Sequence, residues 1–198
     1  MTGDDRYLEG AEAGTKYLRD NVRATEGGAD GVTYWYHALD LDDKGSLKIL
    51  ASRFGDDWDA IPAYEQIYAL AGPVQTYRIT GDPAILEDAR RTQALFAKYY
   101  EDPKLGGYFS HIDAVTFDPR AESLTFDRAR KNWNSVGDHA PAYLINLFLA
   151  TGAKQDADML TYCADMIVEH FPDYDNSPFV QEKFHEDWSP DRSWGWQQ

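Results

Sequence analysis

Two side chains of this 198-residue sequence have the type and setting for acid–base chemistry, His139 and Glu65. His139 follows Asp138 at the predicted start of a very apolar helix, and an imidazole exchanges protons close to neutral pH. It is either a catalytic or substrate-binding group, or a hydrogen-bonded core histidine. Glu65 lies in the first turns of another apolar helix, where a lone carboxylate is costly to bury. It is either a cavity acid with a raised pKa, or half of a buried ion pair with Arg53 or Arg78.

Aromatic and amide side chains gather near the same predicted helix starts. Flat rings there can stack against sugar rings, and the alternative is that they fill the core beneath the loops. Trp58, Trp194 and Trp196 are further candidates for such a platform because they also precede expected helices. The predicted substrate-binding residues are Trp35, Tyr64, Tyr108, Trp133, Asn134 and Tyr143.

Two internal repeats indicate how these residues are positioned. His37, His111 and His185 stand 74 residues apart in similar aromatic and acidic settings. The pattern Asp-x-x-Pro-Ala-Tyr occurs at 59–64 and again at 138–143, 79 residues later, and is interpreted as a helix start in both places. Because a repeat places the three histidines in separate units, no shared metal site is expected.

The hydrophobic pattern predicts an alternation of two kinds of helix. Amphipathic helices are expected over about 7–23, 83–100 and 155–171. More apolar helices are expected over 59–79, with an interruption and kink at Gly72-Pro73, and over 138–151. Aromatic loops or hairpins lie between them.

This alternation predicts an all-α fold, an α/α toroid of the (α/α)6-barrel type with outer and inner helices. About two and a half helical hairpins, joined by short aromatic β-hairpin loops, are present, so roughly half a barrel is expected. Residues 1–198 are predicted to form one toroid domain, the N-terminal half of a barrel of about 440 residues. Such a half would be completed by self-association or by a C-terminal half of the same protein.

The composition of the sequence limits which molecules the protein is expected to bind and where it is expected to occur. The net charge of −15 argues against nucleic acid and anionic membrane surfaces. The sequence has no run of eighteen apolar residues, its first residues are polar and acidic, and Cys163 is its single cysteine. A cytoplasmic protein is therefore expected. The absence of phosphate-loop and CxxC motifs leads us to expect no cofactor. The aromatic rings that can stack against sugar rings make a small-molecule sugar the expected partner.

Several segments carry a family likeness. They are 66–69 (QIYA), 77–82 (YRITGD), 106–109 (GGYF) with Asp113 after it, and 132–147. In these segments the chain resembles the N-acylglucosamine 2-epimerase superfamily, whose fold is an (α/α)6 barrel and which includes cellobiose 2-epimerases and ketose–aldose isomerases.

The resemblance implies C2 epimerisation or 1,2-isomerisation of a sugar, by histidine acid–base transfer of the proton next to a carbonyl. His139 resembles the inner-helix histidine of the family. Two positions depart from the family pattern, since Ala142 stands where a glutamate is usual and Glu65 where an arginine is usual. The two histidines most directly tied to proton transfer belong to the family's C-terminal half, so this polypeptide is expected to lack a complete catalytic set.

Two other functions stay open on the residues alone. One is a glycoside hydrolase or lyase that pairs Glu65 with Asp59 or Asp138, for which a carboxylate separation of about 5 to 9 Å is expected. The other is a non-catalytic carbohydrate-binding or assembly protein. A fold likeness by itself does not choose among them.

Overall fold

The structure is a computed structural model, and it describes residues 3–24, 31–42, 45–52, 59–137 and 139–193, without the side chains of Asp42 and His139. Features predicted for Arg53, Trp58, Asp138, Trp194 and Trp196 lie outside this part of the chain. The helices described are α1 (Asp5–Asn21), α2 (Ala63–Thr80), α3 (Pro83–Leu95), α4 (Trp133–Val136), α5 (His139–Thr151) and α6 (Lys154–His170). The strands described are β1 (Arg23–Ala24), β2 (Tyr34–Trp35), β3 (Ala38–Asp42), β4 (Gly45–Ile49), β5 (Ala60–Pro62), β6 (His111–Asp113), β7 (Arg130–Asn132) and β8 (Lys183–His185).

Local sequence signals explain the ends of the helices. Asp4 caps α1, because its side chain accepts a hydrogen bond from the backbone N–H of Arg6 at 3.1 Å. Asp82 caps α3 in the same way, with Pro83 in the first turn, as the sequence predicts. Gly81 ends α2 at a φ of 69°, a left-handed conformation that glycine adopts without strain.

The predicted alternation of outer and inner helices is confirmed. α2 packs against α1, α3 and α5, and α5 packs against α2 and α6. The two inner helices, α2 and α5, supply much of one buried hydrophobic cluster, including Ile67, Leu70, Val74, Leu144 and Leu147. The outer helices α1 and α6 keep most of their charged side chains exposed to water, whereas Asp88 of α3 is buried and paired with Arg19 and Arg23. The result is a row of helical hairpins that forms about half of an α/α toroid.

Short strand pairs join neighbouring units at one end of the inner helices. β5, just ahead of α2, pairs antiparallel with β6, with Pro62 opposite His111. β7, just ahead of α4, pairs antiparallel with β8, with Asn132 opposite Lys183. Each joint therefore ties the start of one inner helix to the loop of the next unit. β1 with β2 and β3 with β4 form two further antiparallel pairs.

The predicted helix start at Asp59 is wrong. Residues 60–62 form β5, and α2 begins at Ala63, whose backbone N–H donates to Ser110 O at 2.8 Å. Pro62 has extended backbone angles there, whereas Pro141 lies inside α5. Proline suits both an extended segment and the first turn of a helix, so the shared hexapeptide forms two different structures.

The units repeat with a shorter offset than 79 residues. From the start of α2 at Ala63 to the start of α4 at Trp133 is 70 residues, and from the end of α2 at Thr80 to the end of α5 at Thr151 is 71. The second inner helix is thus divided into α4 and α5. The interruption predicted at Gly72-Pro73 does not occur, because α2 continues through Pro73 to its end.

None of the helices in the described ranges is long and apolar enough to cross a membrane.

Candidate functional site

A histidine and a carboxylate meet beside the start of the first inner helix. His37 Nδ1 lies 2.7 Å from Glu65 Oε1, and the two side chains are 12% and 18% exposed. An ionised carboxylate can only accept hydrogen bonds, so this contact places a proton on Nδ1 and leaves Nε2 of a neutral imidazole as the acceptor. The carboxylate of Glu65 therefore fixes the orientation of the His37 ring.

The segment that carries His37 is fixed on α2 and α3 by polar contacts. The side chain of Gln66 bonds to both backbone groups of Trp35, accepting from N at 2.7 Å and donating to O at 3.0 Å. The indole N–H of Trp35 donates to Thr92 Oγ1 at 3.0 Å. Because Gln66 follows Glu65 in α2, one turn of helix carries both the carboxylate and the group that holds the histidine's loop.

Tyr100 is a buried side chain close to Glu65. Its hydroxyl donates to Ile61 O at 3.0 Å, and its ring is fully buried. Burial first, and then the negative charge of Glu65, raise the pKa of Tyr100 well above its usual value. Tyr100 therefore stays protonated at ordinary pH and acts as a hydrogen-bond donor near the carboxylate.

Of the two arginines predicted as partners of Glu65, the structure tests one. Arg78 bonds through Nη1 to Asn146 Oδ1 at 3.1 Å. It stands thirteen residues from Glu65 on the same helix, about 20 Å along its axis, so an ion pair between the two is excluded. The other proposed partner, Arg53, is outside the described residues. The partner found, His37, was singled out in the sequence only as one of three repeated histidines, and its distance from Glu65 in sequence hid the pairing.

Three of the predicted substrate-binding residues lie at the starts of inner helices and are partly exposed. Tyr64, next to Glu65, makes an edge-on contact with Tyr68 at a centroid distance of 5.9 Å. Trp133 and Asn134 open α4, which packs against α2. The fold thus brings the helix that carries Asn134 against the helix that carries Glu65. His139 begins α5, but its side chain is outside the described residues.

The other three predicted substrate-binding residues pack in the core. Trp35, Tyr108 and Tyr143 are 1%, 5% and 1% exposed. Tyr143 donates its hydroxyl to the sulfur of Met159, and burial raises its pKa. Tyr108 contacts Phe96 edge-on. Their rings offer little surface to a sugar, which agrees with the alternative in which loop aromatics fill the core.

The three repeated histidines have separate surroundings. His37 contacts Glu65, and His111 Nδ1 lies 2.7 Å from Ser110 Oγ. His185 ends β8, in the third unit. No group of three or more histidine, cysteine or acidic side chains that could hold a metal ion is present among the described residues.

A second polar pair lies at the next joint. Lys131, in β7, donates from Nζ to Asp102 Oδ2 and to Glu186 O, both at 2.8 Å. The side chains of Lys131 and Asp102 are 1% and 0% exposed, and the lysine nitrogen lies 4.6 Å from the ring centre of Trp188. The ion pair is sealed from the solvent, and the bond from Lys131 to Glu186 O connects it to the next unit.

With this geometry in hand, comparison with known proteins identifies the fold. No family model and no curated protein matches the sequence. Among solved structures, cellobiose 2-epimerase from Bacillus thermoamylovorans B4167 is similar with a TM-score of 0.70 and 17% identity, over 95% of this chain and 44% of that one. D-mannose isomerase is similar with a TM-score of 0.68 and 19% identity, over 96% of this chain and 41% of that one. The resemblance to sugar 2-epimerases and isomerases that the sequence predicts is therefore confirmed at the level of the fold.

The chain spans less than half of the length of these structures. A more distant similarity is to the glycoside hydrolase family 76 mannosidase Bt3792 from Bacteroides thetaiotaomicron VPI-5482, with a TM-score of 0.54 and 14% identity over 86% of this chain and 40% of that one. The same architecture thus occurs in an epimerase, an isomerase and a mannosidase, so the residues of the site have to distinguish these chemistries.

Proposed function

We propose that this chain is the N-terminal half of a sugar 2-epimerase or 1,2-isomerase toroid. The observation that carries the proposal is the His37–Glu65 pair at the start of an inner helix, with its atoms 2.7 Å apart and its side chains 12% and 18% exposed. The half-length match to the cellobiose 2-epimerase and D-mannose isomerase folds supports it.

In the proposed reaction, a base takes the proton from the carbon next to the sugar carbonyl and the proton returns to the other face or to the adjacent carbon. His37 Nε2 is the candidate base, oriented by the carboxylate of Glu65. His139 is the candidate second proton carrier, at the start of α5. Tyr64, Trp133 and Asn134 are candidates to bind the sugar.

The test is deuterium incorporation at C2 in D2O, followed by NMR with glucose, mannose, cellobiose, N-acetylglucosamine and N-acetylmannosamine. We expect exchange with at least one sugar, and a loss of about 100-fold or more in Glu65→Gln and in His37→Asn. His170→Gln, on the outer helix α6, is the matched histidine control and should keep the rate. A half-site polypeptide would give no exchange, and the assay is then repeated on a polypeptide that extends beyond Gln198. Absence of exchange in that longer polypeptide as well would reject the proposal and favour a non-catalytic carbohydrate-binding protein.

A glycoside hydrolase is the second candidate, because the mannosidase has the same architecture. That chemistry needs a second carboxylate close to Glu65. Asp59 is exposed, six residues before Glu65, and Asp138 lies outside the described residues. Release of reducing sugar from a mannoside, lost in Glu65→Gln and Asp59→Asn but retained in His37→Asn, would favour this function over epimerisation.

We also propose that a second copy of the chain covers the open flank of α5. In a closed toroid each inner helix has an inner neighbour on both sides, whereas α5 has only α2 within the described part of the chain. Ile145, Phe148 and Leu149 follow the spacing of one helix face and are 46%, 37% and 58% exposed. An apolar stripe of this kind usually becomes an interface.

Light scattering on the 198-residue polypeptide tests this interface. We expect a dimer or larger assembly, and a monomer for the double variant Ile145→Glu with Leu149→Glu. Val115→Glu, which changes a more exposed apolar residue outside the stripe, should leave the assembly intact. A monomeric unaltered polypeptide would contradict the proposal. In that case the helices of a longer chain become the expected cover.

A further inference from the structure

Gln66 is an unusual residue for its position in α2. Its side chain is 0% exposed, on the same buried face as Ile67 and Leu70. Burying an amide costs free energy unless its hydrogen bonds are satisfied, and an apolar side chain of similar size would fill the same space without that requirement. The amide therefore calls for an explanation beyond filling the core.

Both of its hydrogen bonds go to one residue. Oε1 accepts from Trp35 N at 2.7 Å and Nε2 donates to Trp35 O at 3.0 Å. A neighbouring β-strand would form this same pair of hydrogen bonds with Trp35. The side chain therefore takes the place of a second strand beside β2, whose other edge pairs with β1. The pairing fixes the backbone of Trp35 in both position and rotation.

The backbone after Trp35 is fixed from a second direction. The backbone N–H of Tyr36 donates to Val22 O at 2.8 Å, and the indole of Trp35 donates to Thr92. His37 is the next residue. The segment ahead of it is thus held by α2, by α3 and by the end of α1, and only the bond from α2 originates beside Glu65.

We infer that Gln66 is a positioning residue that sets His37 against Glu65. The inference rests on the proposed function in taking this pair as the acid–base group. The geometric claim does not depend on that function: one turn of α2 fixes both sides of the His37–Glu65 contact. Glu65 belongs to that turn, and His37 is two residues beyond the backbone that Gln66 holds. A small shift of Trp35 is enough to lose a 2.7 Å hydrogen bond.

The test reads the imidazole of His37 directly, by long-range ¹H–¹⁵N NMR correlation of the histidine rings without any sugar. The variant Glu65→Gln gives the reference signals of His37 without its carboxylate. In Gln66→Met, which keeps the buried volume and removes both bonds, we expect the ¹⁵N signals of His37 to shift toward that reference.

Thr76→Val is the matched control. Thr76 is also buried on α2, and its hydroxyl lies 2.9 Å from Thr15 Oγ1, so the variant also removes a buried hydrogen bond from this helix. We expect it to lower the melting temperature but to leave the His37 signals unchanged. Wild-type His37 signals in Gln66→Met would overturn the inference and leave Gln66 with a role in stability alone.

Gln66→Asn covers the case in which Gln66→Met does not fold. This variant keeps a neutral amide but is one methylene shorter, so it no longer reaches both backbone groups of Trp35. We expect a shift of His37 in the same direction, and no shift would again overturn the inference. The NMR measurement needs no turnover, so the two tests are independent. A negative result in the deuterium assay rejects the proposed function without deciding the role of Gln66. Unchanged His37 signals in the Gln66 variants reject the role of Gln66 without deciding the proposed function.

Discussion

The two joints between units have the same architecture, but the polar pair at the first is partly exposed and the pair at the second is fully buried. At the first joint, the His37–Glu65 contact lies beside the strand that precedes α2, and its side chains are 12% and 18% exposed. At the second, the Lys131–Asp102 contact lies on the strand that precedes α4, and its side chains are 1% and 0% exposed. A proton donor or acceptor has to reach its substrate, whereas a structural ion pair does not. The difference agrees with the proposed role of the first pair in proton transfer and with a structural role for the second.

At the second joint, Lys131 and Asp102 both stay ionised although they are buried, because each stabilises the charge of the other. Burial lowers the pKa of Lys131, although its hydrogen bond to Asp102 opposes this change. Burial would raise the pKa of Asp102, but the bond from Lys131 and two backbone N–H groups outweigh it, and the pKa is lowered. Removal of either side chain would leave the other charge buried without its hydrogen-bonded ion-pair partner.

The largest expected effect is therefore at Lys131. Lys131→Met should destabilise the fold by about 3 to 5 kcal/mol, because the Asp102 carboxylate loses its buried partner and keeps only the longer contact with Arg120, at 3.8 Å. Urea unfolding followed by circular dichroism measures the loss. The double variant Lys131→Met with Asp102→Leu is the control, and it should recover much of the stability because no charge remains. A loss below about 1 kcal/mol in the single variant would show that the joint is not sealed.

The sequence predicts the helices much better than it predicts these joints. The outer helices follow from amphipathic spacing and from caps such as Asp82, which are local signals. The joints depend on strand pairs between distant segments, and Ile61 in β5 pairs with Ile112, 51 residues away. Such three-residue strands have too few positions to show a period of two, so Ala60-Ile61-Pro62 is easily interpreted as the start of a helix.

The candidate site was predictable in part for the same reason. Glu65 stands out because a carboxylate in an apolar helix demands a partner, and that signal is local. The identity of the partner is not local, since His37 is 28 residues away and reaches Glu65 only through the contact of β2 with α2. For Trp35 and Tyr108, the composition of the loops does not indicate whether a ring points to the solvent or to the core.

An intermediate effect is expected at Asp113, on the strand that pairs with β5. Its carboxylate accepts from Ser123 Oγ at 2.6 Å and from Thr116 N at 2.6 Å. Burial alone would raise its pKa, but these bonds outweigh burial and lower the pKa to about 2. A carboxyl group with a lowered folded-state pKa adds stability above its unfolded pKa of about 4, and that stability is lost as the pH falls toward 2.

We therefore expect Asp113→Asn to cost about 1 to 2 kcal/mol at pH 7 and much less at pH 2.5. Thermal unfolding across this pH range measures the difference from the unaltered chain. Asp118→Asn, in the same loop, is the control, and its effect should be small. An equal cost of Asp113→Asn at both pH values would mean that the charge of Asp113 contributes nothing to the first joint.

The smallest expected effect on stability is at the partly exposed pair His37–Glu65. A double-mutant cycle of His37→Asn and Glu65→Gln should give a coupling free energy of about 1 to 2 kcal/mol, because the side chains are 12% and 18% exposed and keep partial contact with water. The corresponding cycle at the sealed pair, Lys131→Met with Asp102→Leu, should give a coupling several-fold larger. Both cycles use urea unfolding at pH 7. Equal couplings at the two joints would remove the distinction between an open joint and a sealed one. A small coupling at the first joint, with loss of deuterium exchange in both of its single variants, would place its importance in chemistry instead of in folding.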